Sequence, residues 1–320
     1  MDEFQLIDKF LKRLTKKKSS SQGLNDDIFF DKSNKLAVSV DTYVEKVHFP
    51  DFKAPDLIIK KVLRSSLSDL ICKGVKPKYY FISASGNSKS FSFKNLKKIS
   101  NSLSLEQKKF DIELSGGDTV YSNTNSFTCC VIGFSNKIIK RHNSMVGDDI
   151  YITGHLGDSF VGLQTLKKKI LIPKRLKKYF ISKFYMPSIN LKMVNFLQKF
   201  ANTSIDISDG LLIDLKKMIR QQKYGFSIKL DDIKLSNQLK NVLNRNKRFK
   251  VENIVFNGDD YEIIFTSHKK NRSLISKYAK NKKLKIQRIG KILKKNQDSC
   301  VLKGNKKFKI NKNLGYTHQF

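Results

Sequence analysis

No stretch of this sequence approaches the ~18 consecutive apolar residues of a membrane span. Its first residues, Met1-Asp2-Glu3-Phe4, are acidic where a secretory leader carries positive charge. Neither a signal peptide nor a transmembrane helix is expected, and the chain reads as cytoplasmic. Cysteine is scarce, and Cys72, Cys129, Cys130 and Cys300 form no C-x-x-C pair. Cys129 and Cys130 also fall on opposite faces of a strand-like segment, which argues against zinc and against a disulfide framework and leaves reduced core residues. A G-x-x-x-x-G-K-[ST] loop is missing, as is every protein-kinase signature, so any ATP chemistry here needs another architecture. Acids are the last scarcity: 28 Asp+Glu stand against 63 Lys+Arg, for a net charge of +35.

With 320 residues, 39% of them hydrophobic, the chain has enough core for two domains, since single cores stop growing near ~250–300 residues. The texture changes at Arg141-His142-Asn143-Ser144, which has no periodicity, and Gly147-Asp148-Asp149 opens a new strand. This places a boundary between residues 1–142 and 143–320. A charge of +35 raises nucleic acid or an anionic membrane as a partner. The lysines, however, are scattered through every segment, as compositional drift over a solvated surface would leave them, and nucleic acid is not the expected partner. The few acids are then the selected feature.

Phe4, Leu6, Ile7, Phe10, Leu11 and Leu14 make a helical stripe, followed by a solvated loop at 16–22. Leu36, Val38 and Val40 alternate with Ser39 and Asp41, so one strand face presents a hydroxyl and a carboxylate together. That pair is either the wet face of an edge strand or a seat for an oxygen-seeking cation such as magnesium. Residues 56–73 form a helix on which Asp69, at ~100° per residue, returns to within about 20° of Ile58 and Val62. A carboxylate on a buried stripe needs a partner, either Arg64 or a metal. A strand follows at 79–83, a crossover helix at 93–110, and a strand near 112–115 that runs into Gly116-Gly117-Asp118-Thr119. Paired glycines let backbone approach an anion, although hairpin turns look the same. Residues 127–134 are apolar on both faces, as in a central strand.

The second half offers a strand at 150–154 and helices near 159–168, 175–185 and 189–201. Ile205-Asp206-Ile207-Ser208-Asp209-Gly210 forms a strand-to-helix corner whose helix runs to about 221. These acids are either helix caps or metal ligands beside a phosphate. Beyond the corner come a strand at 226–230, Asn257-Gly258-Asp259-Asp260 leading into a strand at 261–266, and a basic helix at 268–283. Closing strands at 286–293 and 301–310 precede the aromatic end Gly315–Phe320. Two unit charges ~4 Å apart repel by about 4 kcal/mol at an effective dielectric near 20. Asp27, Asp41, Asp69, Asp118, Asp206 and Asp209 must therefore lie apart in the fold or be gathered by cations around a polyphosphate.

Seven segments, in order, carry a family resemblance: Gly23-Leu24-Asn25-Asp26-Asp27, Ser39–Thr42 with Val44–Phe49, Leu67-Ser68-Asp69, Gly116–Thr119, Ile205–Leu212, Gly258–Glu262 and Gly315-Tyr316. Together they resemble the motifs of the thiamine-monophosphate kinase family over nearly the whole chain. The resemblance implies an α/β fold of the aminoimidazole-ribonucleotide-synthetase type, with two domains, mixed sheets, helices packed on one side in each domain, and a homodimer built through the N-terminal sheets. It implies transfer of the γ-phosphoryl group of ATP to thiamine monophosphate, giving thiamine diphosphate, with several magnesium ions. Carried over residue by residue, Asp27, Ser39, Val40 (through its carbonyl), Asp41, Asp69, Asp118, Asp206 and Asp209 are implied metal ligands. Gly117, Asp118, Arg141 and Ser208 lie near ATP, and His48, Asp259 and Tyr316 near the thiamine substrate.

No general base is implied, because the acceptor is already a phosphate oxyanion. On the residues alone His48 reads as a core histidine beside Phe49, and Tyr316 as a packing aromatic or a lid. Asn25, Val40, Met145, Asn257 and Asp259 depart from the usual pattern; Asp259, in place of glutamate, offers a shorter arm. The alternatives are another ATP enzyme of the same superfamily, such as selenophosphate synthetase or aminoimidazole ribonucleotide synthetase, and a basic nucleic-acid-binding protein. No reactive cysteine stands in the N-terminal glycine-rich stretch, which disfavours selenophosphate synthetase.

Overall fold

The computed structural model describes residues 1–15, 20–246, 249–295, 297–308 and 315–316. Strands β1 (Phe29–Asp31), β2 (Leu36–Val44), β3 (Lys76–Gly86), β4 (Glu113–Tyr121) and β5 (Ser126–Phe134) form one sheet in the order β1-β2-β5-β3-β4. All neighbours are antiparallel except β3 and β4. Parallel neighbours need a crossover, which here is α3 (Phe93–Phe110). Before it come α1 (Glu3–Leu6) and α2 (Pro55–Cys72). The second sheet holds β6 (Asp149–Thr153), β7 (Thr203–Asp206), β8 (Tyr224–Lys229), β9 (Ile263–Ser267), β10 (Ile286–Lys295), β11 (Cys300–Lys303) and β12 (Lys306–Phe308). Their order is β12-β11-β8-β10-β6-β9-β7. The remaining helices are α4 (Asp158–Leu166), α5 (Lys174–Tyr185), α6 (Lys192–Phe200), α7 (Leu211–Ile219), α8 (Asn237–Arg245), α9 (Glu252–Val255) and α10 (Arg272–Lys282).

Helices lie on one side of the five-stranded sheet, as expected, but on both sides of the seven-stranded one. Ile150, Ile152 and Ile264 share a core with Leu211, Leu215 and Met218 of α7. Tyr151 and Phe265 instead share the other large core with Phe196 and Phe200 of α6 and Ile275 of α10. The reason is in the strands: β6 and β9 are apolar at consecutive positions, and such strands need cover on each face.

Helix α2 joins the two halves. Of its 18 residues 14 are buried, the mark of a helix with no solvent face. It packs on β2, β3 and β5 from one side and meets α5, α6 and β7 on the other. Its polar groups must therefore find partners inside the protein. Arg64 finds Glu106 of α3 through two bonds of 2.7 and 2.8 Å and also donates to the Pro187 carbonyl. That settles one question left by the sequence, because Arg64 is committed elsewhere and does not neutralise Asp69.

Strand β2 inverts the usual pattern. Ser39 is buried toward α2, whereas Val40, on the other face, is 61% exposed. The open face continues across the sheet, where Val120 of β4 and Phe134 of β5 are also exposed.

The N-terminal stripe forms a single α-turn and then continues as a π-turn over Ile7–Leu11 and a 3-10 turn over Lys12–Leu14. Phe10, Leu11 and Leu14 stay exposed, so this stripe is no core helix. Of the loop expected at 16–22, residues 16–19 lie outside the described residues. The last closing strand is split in two by a turn at Gly304, and its final residues 309 and 310 are likewise outside them.

Candidate functional site

Residues from both halves line a cavity of about 680 Å3, a size suited to a cofactor or nucleotide. Asp27, Val40, Asp41, His48, Asp69, Arg141, Asp206, Ser208, Asp209, Asp259 and Tyr316 all face it. Ser39 lies one layer behind, its hydroxyl donating to Asp69 Oδ2 at 2.5 Å.

At the centre Asp41 from β2, Asp69 from α2 and Asp206 from β7 converge. Burial pushes Asp206 up to about 7, with the charges of Asp214 and Asp41 adding to the shift. Burial likewise raises Asp69 well above the ordinary carboxylate range, helped by Asp41 and Asp206, and it raises Asp41. Among the described residues Asp206 Oδ2 is buried with no hydrogen-bond partner. Three hard oxygen donors that repel one another, one of them unsatisfied, fit a divalent cation such as magnesium. Among the described residues no three acid, histidine or cysteine side chains enclose an ion by themselves.

The acidic loop before β1 is satisfied differently. Lys73, fully buried at the end of α2, pairs with Asp26 at 2.8 Å and Asp27 at 2.6 Å. Arg141 forms an ion pair with the other oxygen of Asp27, and its backbone N–H donates to Asp26 at 2.9 Å.

At the corner after β7 two loops interlock. Ile207 N–H donates to the Glu262 carbonyl at 2.7 Å, Asp259 N–H to Ser208 at 2.8 Å and Tyr261 N–H to Ile207 at 2.9 Å. Glycine is required twice for this approach. A Cβ on Gly258 would sit 2.0 Å from the Ser208 carbonyl oxygen, and one on Gly210, at φ +131°, would sit 2.2 Å from that of Phe256. Neither Asp206 nor Asp209 caps the helix: Gly210 holds the cap position with no side-chain bond, and Asp214 in the first turn of α7 accepts from Asp209 N–H at 3.0 Å and Gly210 N–H at 2.9 Å. Lys217 then pairs with both Asp209 and Asp214.

On the opposite wall Val44 N–H donates to His48 Nδ1 at 2.9 Å, which leaves Nε2 to carry the ring proton. Asp259 holds a left-handed φ of +69° and pairs at 2.5 Å with Lys61 of α2, itself only 1% exposed and lying over the Phe184 ring. Tyr316 N–H donates to the Asp209 carbonyl at 2.9 Å, so the ring stands at the mouth between Asp209 and Asp259. Its neighbours 317–320 lie outside the described residues.

Gly117 and Asp118 are not brought to this cavity. They lie on β4, every residue of which is exposed. Registers across the sheet pair Thr42 with Thr128, Thr128 with Ser83 and Ser83 with Asp118. Asp118 is thus three strand spacings, about 14 Å, from Thr42, which lines the cavity. Sequence reasoning in turn passed over Lys61, Lys73, His142 and Lys217. His142 lines the cavity, and burial and Arg141 lower its pKa to about 4, so it is a neutral imidazole near pH 7. Lys217 had a readable signal, three residues after Asp214 on the face of a short helix; Lys61 and Lys73 had none in a chain this rich in lysine.

Residues 25–135 match the family of AIR synthase related proteins, N-terminal domain. A thiamine-monophosphate kinase of Buchnera aphidicola subsp. Schizaphis graminum is 35% identical, covering 99% of this chain and 98% of the relative. Its counterpart from Buchnera aphidicola subsp. Acyrthosiphon pisum is also 35% identical, with the same coverage. The solved structure of AaThiL complexed with AMPPCP and TMP superposes with a TM-score of 0.85 at 26% identity, covering 99% of this chain and 97% of that one. The full-length likeness to the curated relatives, together with this shared fold, shows that the chain belongs to the thiamine-monophosphate kinase family.

Proposed function

We propose that this protein transfers the γ-phosphoryl group of ATP to the phosphate of thiamine monophosphate, yielding thiamine diphosphate and ADP by direct in-line displacement. The observation that carries this reading is the convergence of Asp41, Asp69 and Asp206 in one cavity, one oxygen of Asp206 lacking any partner. The likeness to a relative solved with AMPPCP and TMP supports the two substrates.

Bringing two polyanions into line is the main obstacle, since the acceptor oxygen is already ionised and needs no base. Magnesium, when bound, would neutralise the phosphate charge, with Asp41, Asp69 and Asp206 as its holders and Asp209 beside them. Ser39 fixes the Asp69 carboxylate from behind. Arg141 places a guanidinium on the cavity wall, where it can stabilise charge on the phosphates. His48, Asp259 and Tyr316 lie together on the walls and mouth and would hold the thiamine portion, Tyr316 by stacking.

In the same reading the chain divides into domains at 1–142 and 143–320 and works in the cytoplasm as a homodimer. The uncovered apolar face of the five-stranded sheet is the proposed interface. A partner packed there would bring its own Gly117 and Asp118 toward this cavity, supplying the two residues that this chain's own fold holds about 14 Å away. Purified protein incubated with magnesium, ATP and thiamine monophosphate should release ADP and thiamine diphosphate in equal amounts. Absence of product at every magnesium concentration would overturn the assignment.

A further inference from the structure

Lys73 is an ammonium with no water to solvate it: its residue is 0% exposed. Its three N–H donors meet three acceptors, Asp26 Oδ1 at 2.8 Å, Asp27 Oδ2 at 2.6 Å and the Ser204 carbonyl at 2.7 Å. These acceptors come from the N-terminal acidic loop and from β7, two residues before Asp206. The other oxygens of the acid pair are also taken. Asp26 Oδ2 accepts the Arg141 backbone N–H, and Asp27 Oδ1 pairs with the Arg141 guanidinium. Two negative charges therefore meet two fixed positive ones inside the protein.

This corner contrasts with the Asp41, Asp69 and Asp206 group a short distance away, where no such pairing exists and one oxygen is unsatisfied. A divalent cation approaching Asp26 and Asp27 would have to displace a buried ammonium and a guanidinium. That displacement strands the ammonium in a low-dielectric site, where an uncompensated charge costs several kcal/mol. We propose that Lys73 is a resident cation that occupies the position where Asp26 and Asp27 would otherwise bind a divalent ion. Asp27 is then not a metal ligand in this chain, and divalent ions are confined to the Asp41, Asp69 and Asp206 group. The inference rests on the divalent-cation part of the reading above.

The test is Mn2+ binding to the full chain, followed by paramagnetic resonance, with and without AMPPCP. It compares the unsubstituted protein with Lys73→Met and Lys73→Gln. Each variant should bind one additional Mn2+ per chain without nucleotide. Each should also melt lower than the unsubstituted protein in EDTA and recover that difference when Mn2+ is added. Equal Mn2+ stoichiometry in all three proteins, with the same rise in Tm on adding Mn2+, would overturn the proposal. So would variants that stay unfolded in saturating Mn2+, since the ion then does not replace the ammonium. Failure of the broader reading looks different: the unsubstituted protein would bind no Mn2+ even with AMPPCP present.

Discussion

Replacing Asp206 by asparagine separates a metal ligand from a structural acid, because the two roles predict opposite stability rankings. Burial holds the Asp206 carboxyl at about 7 against an ordinary value of 3.8. The folded state therefore disfavours the ionised form. The resulting penalty is present above pH 7, shrinks as the pH falls through 7 and is gone below the unfolded value. At ~1.4 kcal/mol per tenfold change in proton affinity the penalty is at most ~4 kcal/mol. Asp41, Asp69 and Asp214 share the same field, so about 2 kcal/mol is the reasonable share of one residue. Asp206→Asn removes the charge and keeps the shape. In EDTA at pH 8 the variant should melt about 4 °C above the unsubstituted protein, at roughly 2 °C per kcal/mol for a chain of this size. At pH 5.5, still above the ordinary value of 3.8, about half of that difference should remain, and it should vanish only near pH 3.8. Magnesium with AMPPCP at about 100 times its dissociation constant stabilises the binding form by ~2.7 kcal/mol, and the variant should miss that gain, so the order of melting reverses. Turnover should fall at least ~10²-fold. A variant that melts below the unsubstituted protein in EDTA at pH 8 would refute the reasoning, because Asp206 would then be a structural acid.

Lys61→Met should raise KM for thiamine monophosphate about tenfold while leaving KM for ATP within about twofold, because the ammonium holds Asp259 at the substrate wall; steady-state kinetics in each substrate checks this, and equal changes in both KM values would mean a general loss of structure. Gly258→Ala sets a Cβ 2.0 Å from a backbone oxygen, and the forced separation of the two loops should cost ~1–3 kcal/mol in thermal or urea unfolding and most of the activity. Glu262 is raised by burial from 4.5 to about 7, so its ionised form is penalised above pH 7 and the penalty disappears as the pH falls to 4.5. Glu262→Gln should therefore stabilise by about 1–2 kcal/mol at pH 8 and by nothing near pH 4.5, as read from melting curves across that range. Val120→Lys, on the uncovered face of the edge strand β4, should shift the protein from dimer to monomer in sedimentation and abolish turnover together, if the partner completes the cavity.

The acids were legible in the sequence because each stands where a charge is out of place: Asp69 on an apolar helix stripe, Asp41 on a strand face, Asp206 between two isoleucines. Helix α2 and strand β5 were legible for the complementary reason, since their apolar spacing runs uninterrupted over many residues, whereas α3 carries only a weak period. The fixed cations were hidden by composition. In a chain with 63 basic residues, a lysine that turns inward looks like one on the surface. Only the fold reveals that α2 has no solvent side and that Lys61 and Lys73 must therefore be paired. The covering of the second sheet on both faces was present in the consecutive apolar residues of β6 and β9. The cap at Asp214 was not, because a first-turn acid that reaches back leaves the same local pattern as one that points to solvent.

Placing the cations also explains which acids are left over. Asp26 and Asp27 have Lys73 and Arg141, Asp209 and Asp214 share Lys217, and Asp259 has Lys61. Asp41, Asp69 and Asp206 have none of these; burial raises all three, and neighbouring acid charges raise Asp69 and Asp206 further. A cavity lined throughout by uncompensated acids would repel a nucleotide and would bind cations at many positions with no fixed geometry. With the periphery neutralised from within, the demand for positive charge is concentrated at one point, between elements of both halves of the chain. An ion bound there would tie β2 and α2 to β7, so phosphate binding and closure of the two halves would draw on the same interaction. This is why Asp206→Asn and Lys73→Met should shift cation-dependent stability in opposite directions, the first by removing a place for the ion and the second by creating one.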